Sequence, residues 1–230
     1  MKRITTAVAT LTVPLILLLP TTAVSHEAGD IILRVGATEV APDESSSLIS
    51  TTATGALAAT GAGVGDNTQL GLNIVYMMSD NIGIEVLAAT PFEHDLTAIG
   101  LGAYGFATTD LGSTDQLPPT LTFNYFLGNA NSTIRPYLGI GVNYTTFFDK
   151  SLSNQARTEL GANSLDLDDS YGVAYRAGVD FNIGDRWILN ASLWNIDIET
   201  DASFDSALGK VKVNADIDPW VYMISLGYRF

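Results

Sequence analysis

The 230-residue chain carries 11 Lys and Arg against 25 Asp and Glu, with no cysteine and 47% apolar residues. The acidic balance excludes a nucleic-acid binder and a polybasic membrane-surface binder, since neither phosphates nor anionic headgroups would meet a basic patch. The lack of cysteine excludes a disulfide framework, so an exported chain of this kind must hold together by packing and hydrogen bonds.

The chain opens with "MKRITTAVATLTVPLILLLPTTAVS", in which Lys2 and Arg3 lead an apolar stretch of about a dozen residues. Ala23 and Ser25 then occupy the −3 and −1 positions of a cut before His26. Residues 1–25 therefore read as a secretory signal peptide that is removed, and 26–230 as the mature domain. Beyond that segment no apolar run approaches the ~18 residues of a membrane helix.

The mature domain alternates with period two over much of its length, the mark of strands with two different faces. In 29–40, Ile31, Leu33 and Val35 oppose Arg34, Gly36 and Thr38. In 67–78, Leu70, Leu72, Ile74, Tyr76 and Met78 oppose Gln69, Gly71 and Asn73. After "SDN", Ile82, Ile84, Val86 and Ala88 oppose Gly83, Glu85 and Leu87. In 118–127, Leu121, Phe123, Tyr125 and Leu127 oppose Thr120, Thr122 and Asn124. After "GNANS", Leu138, Ile140, Val142 and Tyr144 oppose Arg135, Gly139, Gly141 and Asn143. In 169–182, Tyr171, Val173, Tyr175, Ala177, Val179 and Phe181 oppose Ser170, Gly172, Arg176 and Asp180. After "IGD", Trp187, Leu189, Ala191 and Leu193 oppose Asn190, Ser192 and Trp194. In 218–230, Trp220, Tyr222, Ile224, Leu226, Tyr228 and Phe230 oppose Val221, Met223, Ser225, Gly227 and Arg229.

Segments of about ten residues suit tilted strands crossing a bilayer. Tight connections near 79–81, 128–132 and 183–185 alternate with long polar ones at 41–66, 93–117, 149–168 and 199–216. This pattern predicts an all-β fold: an eight-stranded antiparallel up-and-down transmembrane β-barrel, with short periplasmic turns and long extracellular loops, in the outer membrane of a Gram-negative bacterium. The apolar rows face lipid, and Trp220 and Phe230 fall at the two interfaces, where aromatic rings are favoured.

The stretches "NTQLGLNIVYMMSDNIGIEVLAATPFEH", "LPPTL", "RPYLGIGVNYTTFFD" and "DPWVYMISLGYRF" resemble the OmpW family of small outer-membrane proteins, and are also similar to the related alkane-uptake barrels. The resemblance implies a narrow barrel associated with passage of small hydrophobic molecules; some members of the family are bacteriocin receptors. The general class implies that an aromatic C-terminal residue, here Phe230, is read by the outer-membrane insertion machinery. The expected partners are outer-membrane lipid and lipopolysaccharide, that machinery and small hydrophobic solutes, with no nucleic acid and no cofactor.

Candidate chemistry is sparse. His94, between Glu93 and Asp95, reads as an exposed loop histidine rather than a catalytic base, and no metal-ligand spacing of His or Cys is present. "TGAGVGD" at 60–66 lacks the strand and helix of a phosphate loop and reads as a flexible loop. The acidic clusters Asp166, Asp168 and Asp169, then Asp197, Glu199, Asp201 and Asp205, then Asp216 and Asp218, are either a solvated surface or a divalent-cation surface. The enzyme class is therefore set aside.

Inside an eight-stranded barrel, side chains roughly fill the space. Arg34, Glu85, Arg176 and Asp180 form a polar floor. Leu87 and Trp194 lie further toward the outside, either as filler or as the walls of an apolar compartment. Pro91 ends the third strand and Pro118 and Pro119 begin the fourth. They either just end those strands or mark a lateral seam through which a solute leaves toward lipid. The other class left open is a filled structural or recognition barrel whose extracellular loops bind a partner such as a bacteriocin.

Overall fold

The computed structural model describes residues 26–107 and 109–230; the signal-peptide reading of 1–25 lies outside the described residues. Among the described residues, eight long strands form a closed antiparallel ring: Ile31–Ala41, Asn67–Ser79, Ile82–Ala89, Thr120–Phe126, Ile134–Leu152, Ser170–Ile183, Trp187–Ile196 and Trp220–Arg229, first to eighth in chain order. Each strand pairs with the next, and the first closes on the eighth from Ile32↔Arg229 to Ala41↔Trp220. This is the predicted up-and-down barrel.

The alternation decides which side chains go where. On the second strand Leu70, Leu72, Ile74, Tyr76 and Met78 are exposed, while Asn73, Val75 and Met77 are buried in the lumen. On the eighth, Trp220, Tyr222, Ile224 and Leu226 point out, and Val221, Met223 and Ser225 point in. The outward rows join into a continuous apolar belt far larger than a water-facing protein tolerates. Hydrocarbon is its natural surround.

The periplasmic turns are tight. Gly184, at φ 67°, supplies the left-handed residue of the turn between the sixth and seventh strands. Asn81 donates to the carbonyls of Phe126 and Gly128 at 2.6 and 2.9 Å, tying one turn to the next.

The outer segments differ from the expected long polar loops. They continue the barrel upward as sheet. Phe92–Ile99 pairs with Asp110–Leu117, which pairs in turn with the upper half of the fifth strand. Gly61–Val64, expected to be a flexible loop, is a strand paired with Phe92–Ile99. Glu199–Ser206 and Gly209–Asp216 form a hairpin between the seventh and eighth strands. The physical reason is that period two persists here with a different outward row. Phe92, His94 and Ala98 point in, while Glu93 and Asp95 point to solvent. Phe204, Val211 and Val213 point in, while Asp201, Asp205 and Lys212 point out. A short helix, Asn154–Glu159, capped by Ser153 Oγ accepting from Ala156 N at 2.9 Å, packs Ala156 onto the same apolar interior.

Replacing Ile224, 68% exposed at mid-height of the eighth strand, by Arg should cost about 2–4 kcal/mol in unfolding from phospholipid vesicles. A cost under about 1 kcal/mol would place Ile224 outside the hydrocarbon.

Candidate functional site

The periplasmic half of the lumen holds a buried polar floor, resting on a small apolar cluster of Ile32, Val75, Met77, Phe126 and Ile188. The inward faces of seven strands bring Arg34, Asn73, Glu85, Asn124, Tyr137, Arg176, Asp180 and Asn190 together, all buried. Arg34 Nη1 lies 3.2 Å from Glu85 Oε2, and its Nη2 lies 2.6 Å from Asp180 Oδ2. Arg176 forms a second ion pair with Glu85. Asn73 and Asn124 donate to the Glu85 carboxylate, the latter at 3.1 Å. Asn190 donates to Asp180 Oδ1 at 2.7 Å, and His26 Nε2 sits 2.9 Å from Asp180 Oδ2. The Tyr137 hydroxyl accepts from Arg176 and Asn190 at 2.7 and 2.8 Å. Arg135 closes the periplasmic end by donating to the carbonyls of His26 and Asp80 at 3.2 and 2.6 Å. Buried charges persist only when paired and hydrogen-bonded. Arg34 and Arg176 pair with Glu85 and Asp180, while Arg135 is held by the two carbonyls and lies 5.3 Å from the Phe126 ring centroid.

Trp194 marks the boundary with the layer above. The Arg176 guanidinium stands 4.3 Å from its ring centroid and 4.7 Å from that of Tyr137. Trp194 itself is packed with Leu87, Phe92, Val221 and Met223 in an apolar cluster.

Two cavities lie over that cluster. The lower, about 50 Å³, rests on Phe147, Leu167 and Ile217, and is walled partly by His94, Thr114 and Gln116. The upper, about 130 Å³, is lined by Ile49, Leu57, Leu101, Phe106 and Leu160, and reaches the outer rim at Leu208. Ala62, Leu111, Phe204, Val211 and Val213 wall both. The two cavities make an apolar chamber stacked on the polar floor.

The ladder between the third and fourth strands breaks beside the base of the chamber. Leu87↔Thr120 is its last rung, and Phe92↔Gln116 is the next pair above. Pro91, Pro118 and Pro119 lie in the interval between them. Pro119 also lines an apolar groove of about 610 Å³ on the lipid-facing side, with Val86, Leu121, Val142 and Tyr171.

Arg34, Glu85, Arg176 and Asp180 thus stand together in one network. Leu87 and Trp194 belong to one apolar cluster beneath the chamber and line neither of its cavities. Phe230 is exposed at the opposite, periplasmic end, its ring 4.9 Å edge-on to Tyr228. His94 is corrected: it is 1% exposed, not a loop surface residue, because it occupies an inward position of Phe92–Ile99. Sequence reasoning missed Tyr137, His26 and Gln116. The alternation runs through Arg135, Tyr137 and Gly139 and through Gly112, Thr114 and Gln116, so it could have flagged two of the three. Of the acidic clusters, Asp166 pairs with Lys150 at 3.1 Å, and Asp169 accepts from Tyr144 at 2.6 Å. Among the described residues no grouping of His, Asp and Glu is arranged to hold a metal ion.

Removing the Glu85 carboxylate by Glu85→Ala leaves the buried Arg176 guanidinium without its ion-pair partner and Arg34 with Asp180 alone. The expected loss is about 3–5 kcal/mol, read as a shifted urea midpoint. Burial pushes the His94 imidazole below its ordinary value, against the pull of the Gly65 carbonyl and the nearby Asp66, Asp95 and Asp115. The unfolded imidazole takes a proton near 6.5 and the folded one only at lower pH, so the unfolded state binds more protons in that window. Stability from this group is complete above about pH 6.5 and is lost as pH falls toward the folded value. His94→Gln should flatten that part of the profile, and the His94 ring protons should titrate below 6.5; a midpoint at or above 6.5 would contradict the burial argument.

Comparison with known proteins agrees with this architecture. The OmpW family model matches residues 27–230. Outer membrane protein W of Vibrio cholerae is 45% identical over 208 residues, covering 90% of this chain and 91% of that one. Outer membrane protein W of Escherichia coli is 42% identical over 231 residues and all of both chains. The crystal structure of outer membrane protein OprG from Pseudomonas aeruginosa superposes with a TM-score of 0.84 at 42% identity, over 90% of this chain and 99% of that one. Sequence, closed ring and lipid-facing belt together make this chain an outer-membrane β-barrel of a Gram-negative bacterium that belongs to the OmpW family.

Proposed function

We propose that the barrel carries small hydrophobic molecules from the outside into its apolar chamber and releases them sideways into the outer leaflet. The observation that carries this reading is the stack itself: an apolar chamber reaching the outer rim, closed below by a fully buried ionic floor. An apolar solute gains by leaving water for such a chamber. Continuing downward would require breaking paired buried charges, so the floor is a barrier. The lateral seam at Pro91, Pro118 and Pro119 offers the remaining way out, and the lipid-side groove at Pro119 offers apolar surface just outside it. Outer-membrane lipid is thus the receiving phase, and the reading needs no catalysis.

The route is tested by a staple. Extending the register from Leu87↔Thr120 makes Ala88 and Pro119 the next rung, and the chain has no cysteine to interfere. In the Ala88→Cys, Pro119→Cys variant, uptake of a labelled hydrophobic solute should fall on oxidation and return on reduction. Uptake indifferent to a disulfide shown to have formed would remove this seam from the route. Uptake equal in cells with and without the wild-type protein would remove the function as a whole. Filling the chamber gives a second check. Ala62 walls both cavities, so Ala62→Trp should reduce uptake severalfold at an overpacking cost of about 1–3 kcal/mol.

Phe230 is assigned here to recognition by the insertion machinery. Phe230→Asp costs about 1 kcal/mol or less at the interface, so refolding in vitro should survive while the amount reaching the outer membrane falls.

A further inference from the structure

We propose that the lower cavity binds the head of a small neutral amphiphile, an alcohol or an amide, whose apolar tail occupies the upper cavity. The inference rests on the hydrophobic-passage reading and adds a specificity to it.

His94 and Gln116 are 1% and 0% exposed. The ladder sets Phe92 opposite Gln116 and His94 opposite Thr114, which makes His94 and Gln116 diagonal neighbours on one inward face. His94 Nδ1 lies 2.6 Å from the Gly65 carbonyl oxygen. A carbonyl can only accept, so Nδ1 carries the proton and Nε2 presents a lone pair. That Nε2 has no protein hydrogen-bond partner among the described residues, and neither do Oε1 and Nε2 of Gln116. Thr114 does not serve them, since its hydroxyl donates to the Phe148 carbonyl at 3.1 Å. Buried side-chain polar atoms are mostly partnered. Others here, such as Thr38 Oγ1 and Trp194 Nε1, are also open, but these three alone share the wall of one cavity, where a ligand group can reach them.

The open atoms define its chemistry. Nε2 of His94 wants a donor, Nε2 of Gln116 wants an acceptor, and Oε1 of Gln116 wants a donor. A hydroxyl satisfies the first two, and a primary amide all three. Charge is disfavoured. No Lys, Arg, Asp or Glu lines the lower cavity, so an ionised head would be buried unpaired. A carboxylate would also face the field of Asp66, Asp95 and Asp115 around His94. The shared walls of the two cavities then place the tail upward, among Leu57, Leu101 and Phe106.

The test uses the protein in phospholipid nanodiscs with ¹⁵N-labelled side chains, titrated at neutral pH with 1-hexanol, hexanamide, hexane and hexanoate. Hexanol and hexanamide should shift the Gln116 amide and His94 Nε2 resonances. They should bind about tenfold or more tighter than to the His94→Phe, Gln116→Leu double variant, the effect of two hydrogen bonds. Hexane should show no such advantage for the wild type. Gln116→Leu removes only open polar atoms and is expected to keep the fold. His94→Phe also gives up the bond to the Gly65 carbonyl, so the Gln116→Leu single variant gives the same comparison should the double one fail to assemble. Hexanol and hexane showing the same wild-type-to-variant ratio would mean that buried water alone satisfies the pair, which overturns the head site and leaves the passage reading standing. A preference for hexanoate would also overturn it. Hexane that leaves every chamber resonance unmoved would sink the passage reading, and the head site with it.

Discussion

Hydrocarbon cannot hydrogen-bond a peptide group, and every other feature of this structure depends on that constraint. In a bilayer core each unpaired N–H or C=O costs several kcal/mol, so a sheet must close on itself. Here the closing ladder joins ten residues of the first strand to ten of the eighth. Eight strands give a ring whose interior is only as wide as the side chains that fill it. The lumen is therefore a packed core turned inside out, polar within and apolar without. Its contents have to satisfy one another, because no water column is available to do so.

The polar floor is the consequence. Glu85 and Asp180 are each approached by more than one cation or amide, and Tyr137 accepts from two donors at once. Such a network stabilises little relative to an apolar core, but removing one member strands the rest. Under the proposed function it serves as a seal beneath the chamber. The lining changes at the rung Arg176↔Trp194, where a cation rests on an aromatic face. That contact lets a charged layer and an apolar layer meet without an uncompensated surface between them.

The membrane-spanning part was legible because one face of each strand is uniformly apolar. Ile31, Leu33 and Val35, or Trp220 to Leu226, leave no ambiguity about which row meets lipid. The floor was legible for the same reason: a charged residue such as Arg34 or Glu85, flanked by two lipid-facing aliphatics, can only point inward. The outer sheet was not legible as sheet. Once a strand leaves the bilayer its outward row changes from aliphatic to acidic, as at Glu93 and Asp95, and an acidic run with scattered apolar residues looks like a loop. His94 was misplaced by that error, since its position was judged from its charged neighbours rather than from its parity with Phe92. Tyr137 was overlooked because Pro136 precedes it and the inward set was read as small or charged. Pairing partners, which decide that Gln116 lies diagonal to His94, are set by register across strands and cannot be read along one of them.

The break at the prolines follows from the same constraint with which the ring began. Parting two strands in hydrocarbon exposes the donors and acceptors of every rung that opens. Along most of this ring that means several bonds lost together, such as the twelve consecutive rungs joining the fifth and sixth strands. Between the third and fourth strands the ladder already lacks rungs above Leu87↔Thr120. Pro91, Pro118 and Pro119 have no N–H to leave unpaired. The Pro119 carbonyl is already committed on its other side, accepting from Tyr144 N at 3.1 Å and Asn143 Nδ2 at 3.3 Å. Widening this seam therefore strands fewer polar groups than widening any fully laddered one, while the bonds to the fifth strand keep the fourth in place. A lateral route through this wall costs least where the backbone has the fewest groups to satisfy, and that place adjoins the base of the apolar chamber.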